Sequence, residues 1–182
     1  ISKANMTVTA VDYSEKYDGQ SHNGGATASV TAGTTIEYKV GEDGDWSATA
    51  PSIKDFGSVT YTVRATNPNY NDATDEGTLA VSKREVTLKS ETDSKPYDGT
   101  ALTRPVVTVD EEGDEFVDGE VTAMIATGSA LNVADGAVTN KIEITTGEGY
   151  NEDNYDITKD EGTLSISKAN MTVTAVDYSE KY

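Results

Sequence analysis

The chain's single tryptophan, Trp46, ends a turn rich in Gly and Asp, with Asp43 and Asp45 close by. An exposed indole beside two carboxylates has the chemistry of a sugar subsite, where the ring stacks on an apolar sugar face and the carboxylates accept hydroxyl hydrogens. The competing reading folds the indole back onto its own sheet, as large aromatics usually do. One aromatic without aromatic neighbours makes a poor platform, so packing is preferred. A second set is the acidic run from Asp110 to Glu120, in which Asp110, Glu112, Asp114 and Asp118 offer oxygen ligands of the kind Ca²⁺ takes. The run lacks the D-x-D/N-x-D/N-G spacing of an EF-hand loop. A solvated acidic loop, Glu120 included, is therefore preferred, and neither a metal nor a cofactor is expected.

Nucleophilic chemistry has little to work with. His22 is the only histidine and cysteine is absent. Paired carboxylates need a cleft to set their separation. Lys141, next to Ile142 in an apolar-alternating stretch, is the one lysine worth weighing for an isopeptide crosslink, which requires a buried amine. The expectation is a non-enzymatic chain.

Charge narrows the partners. Lys and Arg number 14 against 32 Asp and Glu, a formal net charge of −18. Such a surface repels nucleic-acid phosphates and anionic lipid headgroups. No apolar run is long enough to cross a bilayer. An apolar content of 35% is low enough that disorder competes with folding. Regular alternation between turn dipeptides decides for a folded chain.

The elements that carry these residues are organised by repetition. Ile1 to Tyr17 (ISKANMTVTAVDYSEKY) recurs without a change as Ile166 to Tyr182. Self-similarity at a fixed period marks a tandem array. A weaker repeat lies inside that period: Tyr17-Asp18-Gly19 answers Tyr97-Asp98-Gly99, Asn69-Tyr70 answers Asn154-Tyr155, and Gly77-Thr78-Leu79 answers Gly162-Thr163-Leu164. The recurring residues read as structural: Tyr packs, Asp caps a turn, and Gly takes a positive φ. The chain then divides into the end of a preceding module (1–3), module A (4–83), module B (84–168) and the first strand of a next A module (169–182). That last segment is expected to be disordered or paired with another surface.

Within module A, alternation predicts strands over 6–11, 26–31, 36–40, 59–65 and 77–82, with Asp43-Gly44 as a hairpin turn. In module B it predicts strands over 86–90, 105–109, 121–126, 140–146 and 162–167. No stretch carries a 3.6-residue apolar stripe, so little helix is expected. The expected fold is all-β: two tandem small sandwich-like modules, with a β-grasp-like sheet as the alternative. Strand runs into strand at each module junction without a Gly- or Pro-rich linker, which predicts an elongated, stiff rod.

The segments KPYDGTALT, FVDG, TGSALNVADG and NYDITKDEGTLSISK resemble the YDG-type repeats of large cell-wall adhesins from Gram-positive bacteria. KYDGQSH, IEYKVGEDGDWS and NPNYND are similar to the MBG-type sister repeats of the same proteins. The resemblance implies a secreted, wall-anchored stalk of non-catalytic repeats that projects a distal binding domain. Neighbouring repeats are then the expected partners of a monomeric chain. Weak binding of host glycan or mucin, multiplied by tandem copies, is the alternative.

Overall fold

The computed structural model describes residues 2–182, and the chain is all-β. Among the described residues, apart from strands, there are two three-residue 3-10 turns, Val133–Asp135 and Glu152–Asn154. Residues pack into two compact units. The first comprises the chain up to Val86 together with Gly113–Val121 and Gly147–Ile157; the second comprises Thr87–Glu112, Thr122–Thr146 and Thr158–Tyr182. Two segments from the span 84–168 therefore belong to the first unit.

The first unit is built on a long antiparallel hairpin, Gly57–Asn67 against Tyr70–Ser82. Alternation along its first arm sends Tyr61, Val63 and Ala65 inward, each at most 1% exposed. Its turn is fixed by Asn67, whose Nδ2 donates to Ala32 O at 3.0 Å and Thr34 Oγ1 at 2.9 Å while its Oδ1 accepts the Asn69 N–H at 2.9 Å. Sequence predicts the return arm only from Gly77. The polar stretch Tyr70–Glu76 is strand because cross-strand pairing supplies what β propensity lacks, with Asp75 opposite Val63 and Thr74 opposite Arg64. Thr35–Val40 extends the sheet antiparallel to the first arm, and Ala4–Asn5 and Tyr13–Lys16 extend it parallel to the second.

Val8–Ala10 crosses from that sheet to pair antiparallel with Ala26–Ala28. It places Met6 and Val8 against Ala28, Val63 and Ala65, the core of the unit. The Tyr61 hydroxyl, buried between two chain segments, lies 2.7 Å from Val11 O and 2.9 Å from Gly25 O, and accepts the N–H of both residues. Gly77 must be glycine here: a Cβ would sit 2.6 Å from the Tyr61 ring.

The second unit repeats part of this plan. Asp93–Pro96 pairs parallel with Thr163–Ser167, whose other side takes Val138–Thr139 antiparallel. Leu102, Ala130, Leu164 and Ile166 form its core with Val138 packed on them. Asn140, fully buried, ties three loops: Nδ2 donates to Glu91 O at 3.1 Å and Arg104 O at 2.9 Å, and Oδ1 accepts the Gly128 N–H at 3.1 Å. From Lys168 to Tyr182 the chain forms no strand and every residue is exposed.

Candidate functional site

The densest chemistry of the molecule surrounds Glu120, inside the first unit. Glu120 is 5% exposed and its carboxylate is held from both sides: the Tyr17 hydroxyl donates to Oε1 and the Tyr155 hydroxyl to Oε2, each at 2.6 Å. Those lengths are typical of O–H donors on an ionised acceptor. The Tyr155 oxygen also accepts the Val117 N–H at 3.0 Å. Aromatic rings close the surroundings. Tyr17 meets Tyr155 edge-on at 5.8 Å, Tyr150 stacks on it at 5.7 Å, and Phe116 tilts against it at 5.1 Å.

Each group is placed by local backbone chemistry. Tyr17 follows the strand Tyr13–Lys16, and its N–H continues the parallel ladder to Ser82 O at 2.9 Å. Its own carbonyl accepts Arg84 Nε at 2.6 Å. Glu120 ends a turn in which its N–H bonds Val117 O and its carbonyl takes the Gly147 N–H. Tyr155 leaves the 3-10 turn whose cap is Asn151. Beside it the buried Asn154 accepts the Phe56 N–H at 2.7 Å and donates to Asp55 Oδ1 at 2.9 Å.

Burial, reinforced by the hydrogen bond to the Glu120 carboxylate, pushes the Tyr17 phenol up to about 12. The same two causes, in the same order, raise Tyr155. Both phenols stay protonated and both donate. With one phenol on each oxygen and rings around it, the buried carboxylate clamps segments that are distant in sequence. Sequence reasoning grouped Glu120 with a solvated acidic loop, and the structure corrects that reading. The available signal was local: Glu120 directly precedes the apolar-alternating stretch from Val121, and Tyr155 recurs as a motif.

Trp46 is half-buried on the outer face of the sheet, with the Arg64 guanidinium 4.2 Å and Lys39 Nζ 5.6 Å from the ring centre. Arg64 is opposite Glu37 in the ladder and bonds its carboxylate at 2.7 Å. One ring face is thereby spent on a cation. Asp43 and Asp45 are exposed, in the loop closed by the Tyr38–Ser47 bridge.

The acidic run is divided among separate partners. Asp110 bonds Lys89 Nζ at 2.6 Å and accepts the Glu112 N–H. Asp114 bonds Lys16 Nζ at 2.7 Å and accepts the Glu85 N–H. Glu112 and Asp118 are exposed. Among the described residues no group of three or more His, Cys, Asp or Glu side chains is arranged to hold a metal ion. Lys141 is 65% exposed and reaches Glu143, not a buried crosslinking partner. His22 stacks on Tyr13 at 4.0 Å, and its Nε2 lies 3.0 Å from Asp18 Oδ1, within the first Tyr-Asp-Gly turn. Asn69 is exposed and Tyr70 half-buried at the tip of the long hairpin.

The chain matches no protein-family model, and no curated protein matches it.

Proposed function

We propose that this chain is a non-catalytic structural repeat from the stalk of a secreted bacterial surface protein, a spacer whose tandem copies hold a distal binding domain away from the cell. The observation that carries this reading is the recurrence of one ladder in both halves of the period. Tyr13–Lys16 runs parallel to Leu79–Ser82, and Asp93–Pro96 runs parallel to Leu164–Ser167. The ladder ends in the same way in each, with the Tyr17 N–H on Ser82 O and the Tyr97 N–H on Ser167 O, both at 2.9 Å. A supersecondary plan repeated within a period whose first 17 residues recur letter for letter suits a protein selected for length. Polar chemistry is consumed internally by Glu120, Asn67, Asn140 and Asn154. The remaining acidic surface keeps neighbouring stalks hydrated and apart.

A weak glycan-binding module acting through avidity is the second reading, favoured by the half-exposed Trp46 beside exposed Asp43 and Asp45. Arg64 on the indole face weighs against it, since a sugar would need that face. Small-angle X-ray scattering on one and three periods tests the stalk. A maximum dimension that grows nearly in proportion to period number is expected; a compact three-period chain would reject it. Glycan-array binding lost in Trp46→Ala would establish the second reading.

A further inference from the structure

Two different sets of contacts form around one tripeptide. Ser2-Lys3-Ala4 and Ser167-Lys168-Ala169 have the same sequence and stand at the same point of the period. At Ser167 the carbonyl accepts the Tyr97 N–H at 2.9 Å, which ends the parallel ladder of Asp93–Pro96 and leaves Tyr97 46% exposed. At Ala4 the backbone is in register with Tyr70, and the Ala4 N–H bonds Asn69 O at 3.1 Å. Ser2, Lys3, Ala4, Pro68, Asn69 and Tyr70 line an open groove there. Where a complete module A follows Lys168, both sets of bonds fall on one tripeptide. The strand ends at Tyr97 and Tyr70 are then offset by two residues, about 7 Å, a diagonal separation that aromatic rings bridge.

We infer that the Tyr97 ring of one period docks in this groove of the following module A, against that module's Tyr70. The first half of the period already contains the equivalent contact. Tyr17 ends its ladder on Ser82 O, and Tyr155 answers Tyr70 in the repeat. Tyr17 and Tyr155 meet edge-on at 5.8 Å, a favoured geometry for two rings, and Tyr17 is 1% exposed. The shared tripeptide fixes the occupant, because it is at once the end of one module and the start of the next. One difference is written in the sequence. Between Ala26–Ala28 and Thr35–Val40, the counterparts of Val107–Val109 and Val121–Ala126, no acidic residue stands where Glu120 does. The docked Tyr97 is therefore held by ring packing without a carboxylate, less firmly than Tyr17. This docking presupposes the tandem stalk proposed above, and the two fail separately in the test.

The test is nitration of tyrosine by tetranitromethane in a two-period chain, residues 1–165 followed by residues 1–182. Tyr97→Phe in the second copy leaves the first copy's Tyr97, at the junction, to be read by peptide mass. Tyr97→Phe in the first copy leaves the second copy's Tyr97, which has no complete module A after it. The junction ring should react at least about tenfold more slowly than the terminal one, because a covered ring reacts only when its contact opens. Tyr70→Ala in the second copy should bring the junction ring to the terminal rate, and Tyr70→Ala in the first copy should leave it protected. Equal rates for the two Tyr97 rings would overturn the docking, as would protection that survives Tyr70→Ala in the second copy. Tyr61, 1% exposed, should resist nitration in both copies. Its reaction at the Tyr97 rate would show an unfolded second copy and overturn the tandem reading together with the docking. Small-angle scattering on the same chain judges the stalk by itself. An elongated chain with equal Tyr97 rates keeps the stalk and rejects the docking; a compact chain whose protection is relieved by Tyr70→Ala does the reverse.

Discussion

The two Tyr-Asp-Gly turns share a backbone and differ in everything beyond it. Gly19 and Gly99 have φ of 78° and 80°. Asp18 Oδ1 accepts the Gln20 N–H at 2.8 Å, and Asp98 Oδ1 accepts the Thr100 N–H at 2.9 Å. Tyr17 is nevertheless 1% exposed and Tyr97 46%. The motif is thus a local device that sets the chain direction after a parallel strand. What becomes of the aromatic ring is decided by residues such as Glu120 and Tyr155, more than a hundred positions later. Even the aspartates find different neighbours: His22, then the turn N–H, holds Asp18 below the usual carboxylate range, whereas Lys95 and Thr100 do so for Asp98.

The sharpest way to break this comparison is to truncate both rings. Tyr17→Ala leaves a ring-sized void and a buried carboxylate with the Tyr155 donor alone, and should destabilise the first unit by about 4 kcal/mol. Tyr97→Ala should cost less than about 1 kcal/mol, the scale of an exposed substitution. Urea unfolding measures both. Similar losses would show that the motif carries its own core.

Alkali separates the two turns next. An unfolded tyrosine ionises near 10 and folded Tyr17 near 12, so below pH 10 both states hold the proton and the contribution to stability is complete. As pH rises from about 10 to about 12 the unfolded state releases its proton while the folded state does not. The first unit should then lose on the order of 2 kcal/mol. Tyr17→Phe should remove the Tyr17 share of that loss while the Tyr155 share remains, and Tyr97→Phe should leave both. Urea midpoints across this pH range check the sign. Glu120→Gln follows in size, at about 2 kcal/mol, because charge-assisted bonds from two phenols become neutral ones. It should also lower the pH at which tyrosinate absorbance of the folded state appears.

The strands that carry apolar alternation were legible in the sequence: Met6 and Val8 inward, the row Tyr61, Val63 and Ala65, and the stretch Val121–Ala126 at its observed bounds. The parallel strands Tyr13–Lys16 and Asp93–Pro96 were not, because their residues are polar and their stabilisation is a backbone ladder to a distant partner. The turns were legible because Asp-Gly states its own conformation. The Glu120 clamp was hidden for the opposite reason: a carboxylate in an acidic run looks solvated until segments near 17, 117 and 155 are brought together. Asn67 and Asn140 were missed alike, since a buried amide that bonds loop backbone leaves no periodic trace.

The smallest contrast lies in the glycines themselves. Replacing either by Ala forces a Cβ into the left-handed region, a cost of about 1 kcal/mol that both turns share. At Gly99 nothing lies within 4 Å of that Cβ, so Gly99→Ala should show the backbone cost alone. At Gly19 the added carbon would stand 2.9 Å from Val117 Cγ1, in the segment that supplies Glu120. Gly19→Ala should therefore cost about 2 kcal/mol, the excess coming from displacement of that segment. Val117→Ala opens space at the same place, so the Gly19→Ala penalty should fall toward the Gly99→Ala value in that background. A double-mutant cycle without coupling would mean that the segment yields freely, and that the first turn is no more embedded than the second.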